Sequence, residues 1–168
     1  MEKRFTIEQI HNNRSQQVVD LILPIQQIEF NVPVTLADQP DLQQIDQAYY
    51  AAGGAFWGAF QNGELIGTIA LLNTGHNSGA IRKMFVKKEF RGKEMGIAQA
   101  LLDNLFAWCA DKHIHHLYLG TVSALKAAQR FYERNGFEKV EEANLPDYFP
   151  RMPVDHLFYK FSTKDSEA

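Results

Sequence analysis

"AIRKMFVKKEFRGKEMGIAQALL", Ala80 to Leu102, changes character twice over its length. AIRKMFV is rich in strand formers. From Ile97 onward, Ile97, Leu101, Leu105 and Trp108 recur at helical steps, so an amphipathic helix is predicted from Ile97 to Lys112. Between them lie Lys87, Lys88, Arg91 and Lys93, four cations within seven residues on a chain that is acidic overall. The first turn of a helix exposes unpaired N–H groups and the positive end of its dipole. Gly96 and Ala98 place almost no side chain there, so an anion can approach the backbone closely. The stretch therefore reads as strand, phosphate-binding joint, helix. A solvated charged turn before a close-packed helix would use the same residues. Neither the dinucleotide fingerprint G-x-G-x-x-G nor the triphosphate loop G-x-x-x-x-G-K-[ST] is present.

Upstream, "AFWGAFQNGELIGTIALL", Ala55 to Leu72, holds two β-rich runs around Asn62-Gly63, the strongest short hairpin signal. Before it, Lys3 to Ile7 suits a first strand. Val18, Val19, Ile22, Leu23 and Ile25 to Ile28 suit a helix interrupted by Pro24. Leu36 to Tyr50 reads as a second helix, broken by Gly53-Gly54. Downstream, His116 to Leu119 is a strand. Ser123 can cap a helix that runs to Asn135 and ends at Gly136. Phe137 to Val140 and His156 to Phe161 close the pattern. The order β-α-α-β-β-β-α-β-α-β-β is mixed α/β, an antiparallel meander followed by a strand-helix-strand-helix unit.

The 168 residues, 45 % hydrophobic and 22 % charged, suffice for one domain with a sizeable core, expected over 1–161 with a polar tail at 162–168. A formal charge of −3 argues against general affinity for nucleic acid or anionic membrane. Cys109 is the only cysteine, so no internal disulfide forms, which fits a reducing compartment. The start, MEKRFTIEQIHNN, has no apolar signal stretch, and no run approaches the roughly 20 apolar residues of a membrane helix. A cytoplasmic protein is expected.

Val86 to Leu102, "VKKEFRGKEMGIAQALL", resembles the acetyl-coenzyme A loop of the GCN5-related N-acetyltransferases (GNAT), with Lys93, Gly96 and Ala98 on its [Q/R]-x-x-G-x-[G/A] pattern. A second block, "ALKAAQRFYERNGFEKV", Ala124 to Val140, is similar to that family's N-x-x-A-x-x-x-Y-E-x-x-G-F segment at Ala128, Tyr132, Glu133, Gly136 and Phe137. Leu125 stands at its Asn position. Two such motifs in order, at normal separation, are far more specific than either alone. Asp38 to Phe60, ELIGTIALL and LPDYFPRMPVDHLFY further resemble a bacterial branch whose substrates are poorly defined.

The resemblance implies a GNAT fold: a mixed, mostly antiparallel sheet of about seven strands, about four helices, and two central parallel strands that splay apart. It implies acetyl-CoA as co-substrate, no metal, and a small-molecule or peptide amine as acceptor, attacked directly. Phe85 and Val86 would meet the pantetheine arm and donate to the thioester oxygen. Arg91, Lys93 and the backbone of Glu94, Met95, Gly96, Ile97 and Ala98 would hold the pyrophosphate. Tyr132 would protonate the leaving thiolate: the thiol pKa is roughly 8.5 and that of a phenol roughly 10. By its stripe with Leu125 and Ala128 alone, Tyr132 would pass for a core residue.

Many relatives carry a Glu early on the fourth strand; Ala80 stands there, so the general base is open. Glu29, Asp41, His76 and Asp155 are candidates, as is a water relay. Glu29 leads because it closes the first helix, where the resemblance implies that the acceptor pocket forms. "HIHH" at 113–116 lacks an ordered ligand spacing, and Cys109 falls on an apolar helix face, where an inert thiol is expected. Tyr49, Tyr50, Phe56 and Trp57 suit a core or an acceptor wall. The charge of −3 leans faintly toward cationic acceptors. Homodimerisation through the late strands is common in this fold. A non-catalytic acyl-CoA sensor is the competing reading, favoured by Leu125 and Ala80 and opposed by Tyr132.

Overall fold

Seven strands form one sheet in the order β1-β2-β3-β4-β5-β7-β6 in a computed structural model that describes residues 4–163. The strands are β1 (Thr6–Gln9), β2 (Ala55–Gln61), β3 (Glu64–Gly75), β4 (Ser78–Val86), β5 (His116–Thr121), β6 (Glu138–Val140) and β7 (Leu157–Ser162). All neighbours are antiparallel except β4 and β5. Asn62 and Gly63 both take positive φ, 52° and 81°, as a tight β2–β3 hairpin requires. Ser162 pairs with His116 and the Thr163 N–H donates to His115 O; the rest of the expected tail, residues 164–168, lies outside the described part, as does Lys3 of the expected first strand.

Helices cover both sheet faces. α1 (Ser15–Pro24) and α2 (Ile97–Asp111) lie on opposite sides, and α3 (Lys126–Arg134) follows β5. β2 shows why both faces are dry. Ala55, Trp57 and Ala59 turn to α2, while Phe56 and Phe60 turn to α1. Leu101, Leu102 and Leu105 are fully buried beneath α2, each contributing roughly 1.5–3 kcal/mol by leaving water.

Two sequence expectations are corrected. Leu36 to Tyr50 is not a continuous helix: a short tight turn (Pro40–Gln43) and a wide five-residue turn (Asp46–Tyr50) replace it. Pro40 fits the first position of a turn but not a helix interior, and the segment is shaped by burial of Leu42, Ile45 and Tyr49. Likewise, Ser123 does not cap α3. Its N–H donates to His156 Nε2 at 3.1 Å, and the helix starts only after Leu125, whose N–H bonds Val122 O.

The feature that makes a site is the parting of β4 and β5. They pair only through Ser78–His116, Gly79–Leu117 and Ala80–Tyr118. Beyond Ala80 the gap is unbridged. On its other edge β4 bulges: Ala70 faces Arg82 and Thr68 faces Phe85, so β4 carries an extra residue there. Lys83 at φ 55° absorbs it, and the Thr68 hydroxyl donates to Lys83 O at 2.7 Å.

Candidate active site

The gap between β4 and β5 opens into two hollows. The outer one, about 570 Å³, runs between the end of β4, the start of α2 and one face of α3. Its lining includes Met84, Phe85, Val86, Phe131 and Ala128, with the cations Arg91, Lys93, Arg130 and Arg134 at its rim. The inner one, about 120 Å³, is walled by β4, β5, the 26–39 segment and the 149–155 loop. Phe30, Met84, Phe85, Leu125, Ala128 and Tyr132 line both, so the hollows meet there.

The α2 start has the form read from the sequence. Gly96 precedes the helix at φ 68° with no side-chain cap, and a Cβ placed on it would meet nothing nearer than Lys93 O at 4.0 Å. The first N–H groups of α2, on Ile97, Ala98 and Gln99, have no intrahelical carbonyl to bond. An apolar trough ending at open amides and cations suits an apolar chain with a phosphorylated head. Phe85, Val86, Arg91, Lys93, Gly96 and Ala98 line it. Glu94, Met95 and Ile97 do not: Ile97 is buried in the core and Met95 faces solvent. They can contribute only backbone.

Arg91 and Lys93 differ in availability. Arg91 donates to both oxygens of Glu29, at 2.5 and 2.7 Å, and its Nε donates to Val86 O at 2.7 Å. Lys93 makes no ion pair among the described residues and remains free for an anion. The Arg91 hydrogen bonds hold the Glu29 carboxyl below its ordinary pKa of 4.5. Glu29 lines neither hollow; it borders a shallow depression with Lys87, Lys88 and Glu64.

Tyr132 sits where the hollows join, packed against Phe137 and Tyr159 with ring centroids at 5.7 and 5.9 Å. Its hydroxyl makes no hydrogen bond among the described residues. Burial first, then the charges of Asp155 and Tyr159, push the phenol far above its ordinary 10.0, so it keeps its proton. The neighbouring Glu133 accepts from Tyr159 OH at 2.8 Å and ties α3 to β7.

Of the base candidates, Asp155 alone lines the inner hollow. It lies against β5 because position 120 is glycine: a Cβ there would stand 2.6 Å from Asp155 Oδ2. Burial raises its pKa above 3.8, opposed by Arg82, Lys83 and His156. Asp41 lies behind the wall, accepting from Tyr49 OH at 2.6 Å. His76 stacks on Tyr148 at 4.1 Å, away from the junction.

Sequence reading missed Arg82 and Lys83 of the inner hollow, and Arg130 and Arg134 of the outer one. Arg130 and Arg134 carried a signal, standing two residues to either side of Tyr132 on one helix. Cys109 is buried, its thiol pushed up to about 12 by desolvation. Tyr49 and Phe56 are fully buried and Trp57 nearly so, hence core and not pocket wall. No group of three His, Cys, Asp or Glu among the described residues is placed to hold a metal. No helix of the described residues is long and apolar enough to cross a membrane.

Residues 19–137 match the model of the acetyltransferase (GNAT) family. The chain is 34 % identical over 113 residues to an uncharacterized N-acetyltransferase, YjgM, of Escherichia coli K12, covering 65 % of each. It is 28 % identical over 138 residues to the mouse probable N-acetyltransferase family 8 member 5, covering 77 % of this chain and 60 % of the relative. The chain thus spans less than two thirds of these curated relatives. Among solved structures, a GNAT acetyltransferase of Staphylococcus aureus Mu50 superposes with TM-score 0.90 at 36 % identity, over 94 % of this chain and 98 % of that one. The PaiA N-acetyltransferase of Thermoplasma acidophilum, solved with coenzyme A, shares the fold at TM-score 0.74 and 16 % identity, over 97 % and 100 % of the chains.

Proposed function

The chain belongs to the acetyltransferase (GNAT) family, and from that membership we propose that it moves the acetyl group of acetyl-CoA to a primary amine of a small molecule or peptide. The observation that carries this reading is the junction of the two hollows at the unpartnered hydroxyl of Tyr132, inside the gap where β4 and β5 part.

The outer hollow fits acetyl-CoA. Open amides at the start of α2, with Lys93, suit the pyrophosphate; Arg130 and Arg134 add cationic surface; Met84, Phe85, Val86 and Phe131 suit the pantetheine arm. The co-substrate supplies an acetyl group activated as a thioester.

The remaining work falls to this chain's residues. The inner hollow holds the amine in contact range of the acetyl carbon and sheds water from it. Asp155, the carboxylate on that wall, takes the amine's proton as the N–C bond forms. Its raised pKa makes it a better base than an ordinary aspartate. Tyr132, kept protonated by burial, donates its hydrogen bond to the sulfur as the C–S bond breaks and supplies the thiol proton. Glu29, bound to Arg91, acts as a clasp between the first helical segment and the cofactor loop.

The test is coenzyme A thiol release from acetyl-CoA across a panel of amines, with Tyr132→Phe beside the wild type. Amine-dependent release that falls sharply in the variant supports the reading; release that ignores the amine counts against it.

A further inference from the structure

Building on the acetyltransferase reading, we infer that the acceptor is an amine that also carries a carboxylate next to an apolar side chain, that is, an amino acid with an apolar side chain. Three observations carry it.

The first is the pairing of Arg82 with Lys83. Consecutive residues of a regular strand point to opposite faces. Here the bulge at Lys83, φ 55°, breaks the alternation, and both residues are part of the inner hollow's wall. The second is their state. Arg82 has one polar contact, Nη2 to Met152 Sδ at 3.0 Å, and no carboxylate within ion-pair distance among the described residues. Its fork remains open for a bidentate anion. Lys83 is buried, with Nζ 2.6 Å from Gln39 Oε1 and 3.7 Å from Asp41 Oδ2. Gln39 is itself locked to Gln26 by reciprocal bonds of 3.0 and 2.9 Å. Its ammonium is thus buried at the cavity wall, where Asp41 and Gln39 offset part of the hydration it has lost. The third is the opposite side. Asp155 is the one carboxylate among the lining residues, and Val34, Phe149 and Val154 supply apolar wall.

Two cations on β4 and one carboxylate beside β5 complement a zwitterion. The carboxylate goes to Arg82 and Lys83, and the amine goes to Asp155. A polyamine would instead meet two cations at the cavity wall. The local field thus runs against the chain's net charge of −3, which leans toward cationic acceptors.

The test compares phenylalanine, phenylalaninamide and phenethylamine as acceptors. Phenylalaninamide masks the carboxylate without making the amine more basic, which separates charge recognition from amine pKa. Turnover is read as thiol release, and binding to the coenzyme A-loaded protein is read by calorimetry. Phenylalanine is expected to exceed both analogues by about 10- to 100-fold, the range for a hydrogen bond to a charged group. In Arg82→Gln the ratio collapses toward one; Lys83→Met is the second variant should Arg82→Gln not fold, with acetyl-CoA binding as the folding check. Equal or better performance by phenethylamine or phenylalaninamide in both readouts overturns the inference, and thiol release with those amines would leave acetyl transfer standing. Carboxylate-dependent binding without thiol release supports the inference and counts against acetyl transfer.

Discussion

Arg91 grips both carboxylate oxygens of Glu29, at 2.5 and 2.7 Å, across 62 residues of sequence. Two residues expected to act separately, one on phosphate and one as a base, neutralise each other. Glu29→Gln should therefore keep kcat within about twofold of wild type and lose stability instead. A part-exposed pair is worth about 0.5–1 kcal/mol. Because the folded pKa of Glu29 lies below 4.5, its stabilisation is present above that value and is lost as pH falls through the folded one. Thermal melts of variant and wild type should differ at neutral pH and converge in acid.

Asp155→Asn should lower kcat by about 100-fold or more, the lower range for a general base. Since the folded pKa is raised above 3.8, the acidic limb of the wild-type kcat/KM profile should lie above the ordinary aspartate range. The same shift predicts the opposite effect on stability. A carboxylate with a raised folded pKa destabilises the fold once pH exceeds its unfolded value, so Asp155→Asn should melt higher at neutral pH. A variant less active yet more stable is the signature of a functional group, and melting curves beside kinetics would show it.

Gly120→Ala should reproduce part of that loss without touching Asp155 chemically. A Cβ at 2.6 Å from Oδ2 must displace the carboxylate, and a misplacement near 1 Å can cost about 100-fold. Acetyl-CoA affinity, measured by calorimetry, should stay near the wild-type value.

Lys83 sets a pH window. Burial lowers its pKa to about 8; Arg82 pushes the same way, while Asp41 and Asp155 push back. If it holds the acceptor's carboxylate, KM for that acceptor should rise as pH passes about 8. The folded chain binds fewer protons than the unfolded one between about 8 and 10.5, so stability relative to Lys83→Met should increase with pH across that window.

Much of this was legible in local pattern. Asn62-Gly63, the helical stripe from Ile97 and the left-handed Gly136, φ 91°, are short-range physics, and the structure has them where the spacing put them. The 36–50 segment was not legible, because its form follows burial of Leu42, Ile45 and Tyr49 against β2 and β3 and not its own period. The inner hollow was hidden for a related reason. Arg82 and Lys83 read as alternating strand residues, and the sequence carries no sign of the β4 bulge that breaks that alternation beside the hollow. Asp155 stood in the sequence as one acid among several, and what distinguishes it is Gly120, thirty-five positions away.

The most direct test is thiol release from acetyl-CoA with a productive amine, comparing wild type with Tyr132→Phe while acetyl-CoA binding is followed separately. The expected result is amine-dependent release in the wild type, a fall of about 100-fold or more in kcat for the variant, and similar co-substrate affinity in both. Equal release by the two proteins would make Tyr132 a packing residue and contradict the assignment of the β4–β5 gap as built around it.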